Sequence, residues 1–394
     1  NVTDQQQIGK GESDPFSVVF SMLIEGKEFK FTKPIRYKFT DPVKGELYQP
    51  VTILPMAEVN YSSNVLLGIN NKPVDAGTHV KFNLPLASNY TVTKQTSARI
   101  KNSNNPFTIK GSTANKANNE SSVFSFSGIE GDYVEEIKLQ VSDGANTFHQ
   151  YRRNIEYDHI PSIVYFHEAT AKLSKIDLKV EGNYIGYIPG AGDKVPEALA
   201  AMGYKVVTLK ENDIRANNLK QFDAIVTGVR AYNTNEWMNN VYDELMQYVK
   251  DGGVLLVQYN TSNQIGPVKA KISPYPFNIS RNRITDEEAK VNFLIPAHPA
   301  LNYPNKITEK DFDGWIQERS IYHAEKLDTA YKAILSMKDP GEQEQNGSLV
   351  IANYGKGRFV YTGLVFFREL PAGVPGAYRL FANLIANKRA KYIK

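Results

Sequence analysis

The stretch "GGVLLVQYNT", residues 252–261, follows a helical pattern that stops at Gly252 and Gly253 and then runs into four apolar residues, Val254 to Val257. A short β-branched and leucine-rich run, set between Gly-Gly and a polar Asn-Thr-Ser-Asn cluster, is how a central parallel strand buried on both faces is punctuated. In open α/β sheets the ligand site lies beyond the carboxyl ends of such strands. An acyl-transfer enzyme of this geometry places Cys or Ser at the turn. This chain offers Gln258, Tyr259, Asn260 and Thr261 there.

The same rhythm extends on both sides of that strand. "NYIGYIPGAGDKVPEALAAMGYKVVTL" reads as strand, glycine turn, helix and strand, with Asp193 as N-cap, Pro196 in the first turn and Gly203 as the stop. "FDAIVTG" is a further strand, "NEWMNNVYDELMQYVKDGG" an amphipathic helix, "SLVIANYG" and "GRFVYTGLVFF" late strands, and "GAYRLFANLIANK" a closing helix. This alternation predicts a doubly wound, mainly parallel α/β sheet over 159–394. Upstream the pattern is β throughout, as in "FSVVFSMLI", "HVKFNLPLA" and "EEIKLQVSDG". Residues 56–158 therefore read as an Ig-like β-sandwich. Residues 1–55 hold too few strands for a sandwich of their own and read as a partial one, the end of a truncated upstream domain. The start at Asn1 agrees with a piece of something longer.

In 394 residues, 46 Lys plus Arg against 42 Asp plus Glu leave a formal charge of +4, too small an excess for a nucleic-acid partner. The absence of cysteine removes disulfides, thiolate metal ligands and a cysteine nucleophile from this chain. No apolar run approaches the ~20 residues of a membrane span. The six histidines, His79, His149, His159, His167, His298 and His323, never stand at the i, i+4 spacing of a zinc helix, so no metal is assigned. "PGAGDKV" at 189–195 invites a phosphate cradle, but Val195 stands where a third glycine belongs and no Lys-Ser or Lys-Thr follows. No cofactor is expected.

Candidate ligand contacts come from separate strand ends. "GVRAYNTNEW" supplies Arg230, Tyr232 and Asn233, with Asn235 or Thr234 equally readable as a helix cap. The quoted turn supplies Gln258 and Asn260, with Tyr259 free to turn inward as core. "FDGWIQERSIY" supplies Trp315, Gln317, Glu318, Arg319 and Tyr322, Trp315 reading also as a packing anchor, and "GLVFFRELP" supplies Arg368 and Glu369. Polar groups interleaved with aromatics suit a sugar-like ligand. Two arginines would suit a carboxylate, a phosphate or a vicinal diol.

The segments "FDAIVTGVRAYNTN", "YVKDGGVLLVQYNT", "HPALNYPNKI" and "YGKGRFVYTGL" resemble the class I glutamine amidotransferase-like fold, a flavodoxin-like sheet, nearer its trehalose-utilisation-type branch than true glutaminases. More specifically, "DPVKGELYQP", "GWIQERSIY" and "GKGRFVYTGLVFFRELPAGVPGAYRLFANLI" look like the C-terminal region of large bacterial PIG-L/LmbE-type deacetylase-like proteins. That resemblance runs from about residue 35 to the end. It implies a zinc-dependent N-deacetylase domain upstream in the same polypeptide as partner, and an exported or periplasmic location. The departures are chemical. The turn cysteine is absent, Phe367-Arg368-Glu369 stands where a glutaminase carries His-x-Glu, and His298-Pro299 continues with Ala300-Leu301 instead of Asp-Asp. The expectation is a non-catalytic, ligand-binding accessory fragment with glycan as a candidate ligand. The alternatives are a hydrolase that pairs two of Asp311, Glu318 and Glu369, or a structural scaffold.

Overall fold

A computed structural model describes residues 15–70, 72–83, 89–95, 102–103, 107–109, 119–127, 131–157, 159–160, 163–215, 219–262 and 271–387. Residues 388–394 and parts of "YDHIPS", residues 157–162 at the expected boundary between sandwich and α/β sheet, lie outside the described residues. The chain is strand-rich and divides into two compact units. Unit 1 comprises Asn1–Asn64, Pro73–Gly128 and Glu135–Lys172; unit 2 comprises Val65–Lys72, Ile129–Val134 and Leu173–Lys394.

Unit 1 begins with two separate antiparallel hairpins, Ser17–Ile24 with Lys27–Pro34 and Arg36–Asp41 with Gly45–Pro50. Each is a sheet of its own. Beyond them, Ala57–Tyr61, Val74–Phe82, Asn119–Ser127 and Asn102–Ser103 form one sheet in that order, while Phe107–Ile109, Tyr90–Gln95 and Tyr133–Ser142 are neighbours in another. Along Val74–Phe82 every second residue is buried, as a strand with one face in a core requires. Rings from the two sheets meet at Phe82 and Tyr90, 4.8 Å apart, and the Lys94 ammonium sits 4.1 Å from the Phe124 ring centre.

Unit 2 is built on a mixed seven-stranded sheet. Its elements are β1 (Tyr184–Ile188), α1 (Val195–Met202), β2 (Lys205–Thr208), β3 (Ala224–Thr227), α2 (Ala231–Thr234), α3 (Tyr242–Lys250), β4 (Val254–Gln258), β5 (Tyr331–Ala333), β6 (Leu349–Tyr354), β7 (Gly357–Thr362), α4 (Phe366–Glu369) and α5 (Pro375–Ile385). The order is β2-β1-β3-β4-β7-β6-β5, with β2, β1, β3, β4 and β7 parallel and β6 antiparallel to both neighbours.

β4 is buried on both faces, as its unbroken apolar run requires. Val254 and Leu256 join the core that holds Leu380, Phe381 and Leu384 of α5, while Leu255 and Val257 join the core that holds Leu245, Met246 and Val249 of α3. Burial of aliphatic side chains of this size stabilises by about 1.5–3 kcal/mol each. The double glycine before β4 is a steric necessity. Gly252 has φ +109°, and a Cβ on Gly253 would lie 2.2 Å from the Tyr248 ring. Three local expectations shift. α1 begins after Asp193, whose carboxylate still accepts from Val195 N–H (3.0 Å) but also takes the Tyr187 hydroxyl and Val229 N–H. The stretch before α3 is a 3-10 helix, Glu236–Val241. The last parallel strand stops at Thr362, because Phe366–Glu369 turns into α4. No helix among the described residues is long and apolar enough to cross a membrane.

Candidate functional site

β3 and β4 end side by side, and the loops that follow them are laced together. Arg230 takes the left-handed conformation (φ +60°, ψ +22°) and its backbone N–H donates to the Tyr259 carbonyl (2.8 Å). Asn260 accepts from Tyr232 N–H (2.9 Å) and donates to the Gln258 carbonyl (3.0 Å). Asn233 clasps Thr261, donating to its carbonyl (3.0 Å) and accepting from its N–H (2.9 Å). Asn235 donates to the Pro189 carbonyl (2.6 Å), so it ties two loops instead of capping the helix. The glycine turn "PGAGDKV" serves the same lacing, since a Cβ on Gly190 would stand 2.0 Å from the Val229 carbonyl oxygen. Close backbone approach, not anion binding, accounts for that glycine.

These bonds sort the sequence candidates. Asn260 is fully buried, Gln258 donates inward to the Thr227 carbonyl (3.1 Å), and Tyr232 lies in the core, so these side chains hold the turn and do not face solvent. Asn233, buried in its clasp, belongs with them. Trp315 is the packing anchor: it is buried against Phe312 and Phe366, and its indole N–H donates to the Asp311 carbonyl (2.9 Å). Arg319 is buried too, donating to the Ala289 carbonyl (3.2 Å) and the Phe312 carbonyl. Both Glu369 oxygens accept from Ile316 N–H (3.1 Å). Loops without internal ladders need such donors and acceptors to bury their backbone, and that need has absorbed these polar residues.

Arg230 and Arg368 remain at the surface, half-buried, and both act on one aromatic platform. The Tyr259 ring stacks on Tyr322 (centroids 5.6 Å, planes 8° apart) and touches Phe367 (5.3 Å). The Arg368 guanidinium lies 4.9 Å over the Phe367 ring. Burial raises the Tyr259 phenol above its ordinary pKa, and the charges of Arg230 and Arg368 pull the other way. Arg368 also donates to Gln317 Oε1 and pairs with Glu318 (3.3 Å), whose other oxygen binds Arg283 (2.7 Å). Gln317, Glu318 and Tyr322 are residues the sequence offers in "FDGWIQERSIY", whereas Arg283 was not singled out from sequence. Among the described residues, six non-glycine residues have positive φ, and Arg230, Gln317 (φ +71°) and Tyr322 (φ +53°) stand together here. Backbone strain of this kind costs about 1–3 kcal/mol per residue and gathers at functional sites.

Next to the platform, Phe277 packs on Tyr361 (4.9 Å), whose hydroxyl donates to the Tyr322 carbonyl (2.7 Å). Phe277 also lines a cleft of about 710 Å³, together with Ser262, Pro274, Tyr275 and Glu325. Its aromatic and proline walls suit the face of a ring-shaped ligand. Unit 1 has a smaller notch of about 230 Å³, but there Lys138 and Glu168 neutralise each other (3.3 Å).

The nominated carboxylates are each engaged. Asp311 accepts from Thr308 and from Arg379 (2.6 Å), Glu369 is spent on Ile316, and Glu318 lies between two arginines. A serine–histidine contact also occurs, Ser320 Oγ to His323 Nε2 at 2.7 Å, with the spacing of a nucleophile and its base. Both residues are 2 % exposed or less, so no substrate reaches the pair. Among the described residues no group of three or more His, Asp or Glu side chains is arranged to hold a metal ion.

No protein-family model matches the chain, and no curated protein does. Among solved structures it is similar to a polyextremophilic β-galactosidase from the Antarctic haloarchaeon Halorubrum lacusprofundi (12% identity, TM-score 0.29), over 53% of this chain and 31% of that one. It is also similar to a protein of unknown function from Porphyromonas gingivalis W83 (11% identity, TM-score 0.19, 35% of this chain and 61% of that one). A third is the Amycolatopsis orientalis exo-chitosanase (10% identity, TM-score 0.15, 58% and 26%). The chain thus spans about a third of the length of the β-galactosidase. Likeness at these TM-scores does not establish a shared fold.

Proposed function

We propose that unit 2 is a non-catalytic ligand-binding module whose polar ligand, a glycan, sits on the Tyr259–Tyr322 platform between Arg230 and Arg368. In this reading the sheet is of the class I glutamine amidotransferase-like, flavodoxin-like kind, with a retired nucleophile turn. The parallel run β2-β1-β3-β4-β7 supports it, because the flavodoxin-like order begins in the same way and binds ligand at the carboxyl ends of its strands. The observation that carries the reading is the convergence of three left-handed, non-glycine residues on one half-exposed aromatic pair. Strain kept at a solvent-facing cluster calls for a role beyond folding. The chain would serve a larger PIG-L/LmbE-type deacetylase-like protein outside the cytoplasm as its accessory part.

The competing hydrolase reading draws less support, since Asp311, Glu318 and Glu369 each hold structural partners. The test is titration of the purified chain with a panel of neutral and acidic sugars, followed by tyrosine fluorescence. At least one sugar should bind, and Tyr259→Ala should abolish the signal without unfolding the protein. Glutamine hydrolysis and acetate release from N-acetylated sugars should both be absent. Chelator-sensitive acetate release that tracks this chain through purification would sink the non-catalytic reading, and binding indifferent to Tyr259→Ala would sink the site.

A further inference from the structure

We infer that the ligand of this platform is an acidic sugar, a ring bearing a carboxylate, with the carboxylate on Arg230 and the ring against the tyrosine–phenylalanine face. The inference rests on the binding role proposed above and narrows it from polar ligands in general to one charge class.

The two arginines of the platform are not equivalent. Arg368 already has a counter-charge: Glu318 lies 3.3 Å from it, shared with Arg283 at 2.7 Å, and Gln317 accepts from it. Arg230 has no acidic partner among the described residues; its Nε, like that of Arg368, is buried without a hydrogen-bond acceptor, so the missing counter-charge is what sets it apart. The segment 263–270, which follows the Tyr259 turn in sequence, reads NQIGPVKA and contains no carboxylate. A guanidinium N–H left unpaired beneath a half-buried surface is a poor arrangement for stability alone. It is a good one for receiving an anion, because planar paired donors match a carboxylate.

The site also holds its arginine in place. The Arg230 backbone is fixed in the left-handed region and bonded to the Tyr259 carbonyl at 2.8 Å. The guanidinium is therefore carried by a loop that is bonded to the turn presenting the aromatic face. Arg230, Arg283 and Arg368 bring three positive charges against two negative ones, Glu318 and the Glu287 carboxylate that accepts from Gln317 N–H, so the cluster keeps a net positive charge and favours an anion over a cation. An inorganic anion would use Arg230 and leave the apolar ring face uncovered. A neutral sugar would use the face and leave Arg230 unpaired. A ring with a carboxylate satisfies both at once.

The experiment titrates the whole chain with D-glucuronate, D-glucose and acetate, read by calorimetry and by tyrosine fluorescence. D-glucuronate should bind at least about tenfold more tightly than D-glucose and than acetate, the factor expected when one charge-assisted pair is gained or lost. Arg230→Gln should bring D-glucuronate down to the D-glucose level, with an unchanged urea midpoint. Equal binding of both sugars, untouched by Arg230→Gln, would overturn the acidic-sugar inference and leave the binding role intact. Acetate binding as tightly as D-glucuronate would overturn the part played by the ring. If neither sugar binds, the binding role and the inference fall together.

Discussion

The backbone N–H of Arg230 donates to the carbonyl of Tyr259 across 2.8 Å, so the loops leaving β3 and β4 are joined at the point where the candidate ligand would lie. Arg230 pays for that position with a left-handed backbone, φ +60°. Glycine would occupy it without strain. Arg230→Gly is therefore expected to leave the free energy of unfolding unchanged or raise it by up to about 1 kcal/mol, relieved strain opposing the added entropy of the unfolded chain. Urea denaturation measures this, and a loss of more than 1 kcal/mol would show that the arginine stem carries packing instead.

Glu318 has 2 % of its side chain exposed, while its partners Arg283 and Arg368 are 53% and 32% exposed. Breaking a fully buried pair costs ~3–5 kcal/mol, and solvent screening of the two arginines lowers that figure here. Glu318→Gln is expected to cost about 2 kcal/mol. It should also tighten anion binding, because Arg368 loses its counter-charge. A variant as stable as the parent, with unchanged affinity for D-glucuronate, would remove Glu318 from both roles.

Burial holds His323 neutral, its pKa pushed down to about 4 from an ordinary 6.5. The unfolded chain then binds the proton more readily than the folded one, so stability is full above pH 6.5 and falls as pH drops from 6.5 towards 4. Lowering the pH from 7 to 5 should cost about 2 kcal/mol through this group. In His323→Gln that part of the slope should vanish. An unchanged pH profile in the variant would assign the acid sensitivity to other groups.

Arg358, on β7, donates to the carbonyls of Leu384 and Ala386 (2.8 Å each) at the end of α5, and burial depresses its pKa to about 10. Buried carbonyls without donors cost ~1–3 kcal/mol each. Arg358→Met should lower unfolding free energy by about 3 kcal/mol. Thermal melting tests this, and a shift under 1 °C would mean that water replaces the guanidinium.

The strands of unit 2 were legible because their pattern is local: Val254–Val257 is an unbroken apolar run, and Gly203 ends α1 where the sequence places the stop. The site was legible at Arg230, Gln317, Tyr322 and Arg368, nominated residues that stay at the surface. Gln258, Asn260, Asn233, Arg319 and Glu369 carry the same polar chemistry, yet their partners are backbone atoms far away in sequence. No spacing rule marks such partners. Gln317 and Tyr322 were offered by the sequence as polar side chains, but their strained backbone was not legible, because a positive φ at a non-glycine residue leaves no trace in the periodicity.

The sheet order sets a schedule for synthesis. β4 finds its second neighbour only about 100 residues later, Val254 lying opposite Arg358, whereas its first neighbour β3 precedes it. During translation, β2, β1, β3 and β4 emerge as a half-sheet in which β4, an unbroken apolar strand, is a temporary edge opposite β2. Until β7 arrives, the nascent chain presents a template for pairing with another copy. Chains stopped before Gly357 should therefore collect in inclusion bodies, although every residue of the Arg230–Tyr259 turn is already present in them.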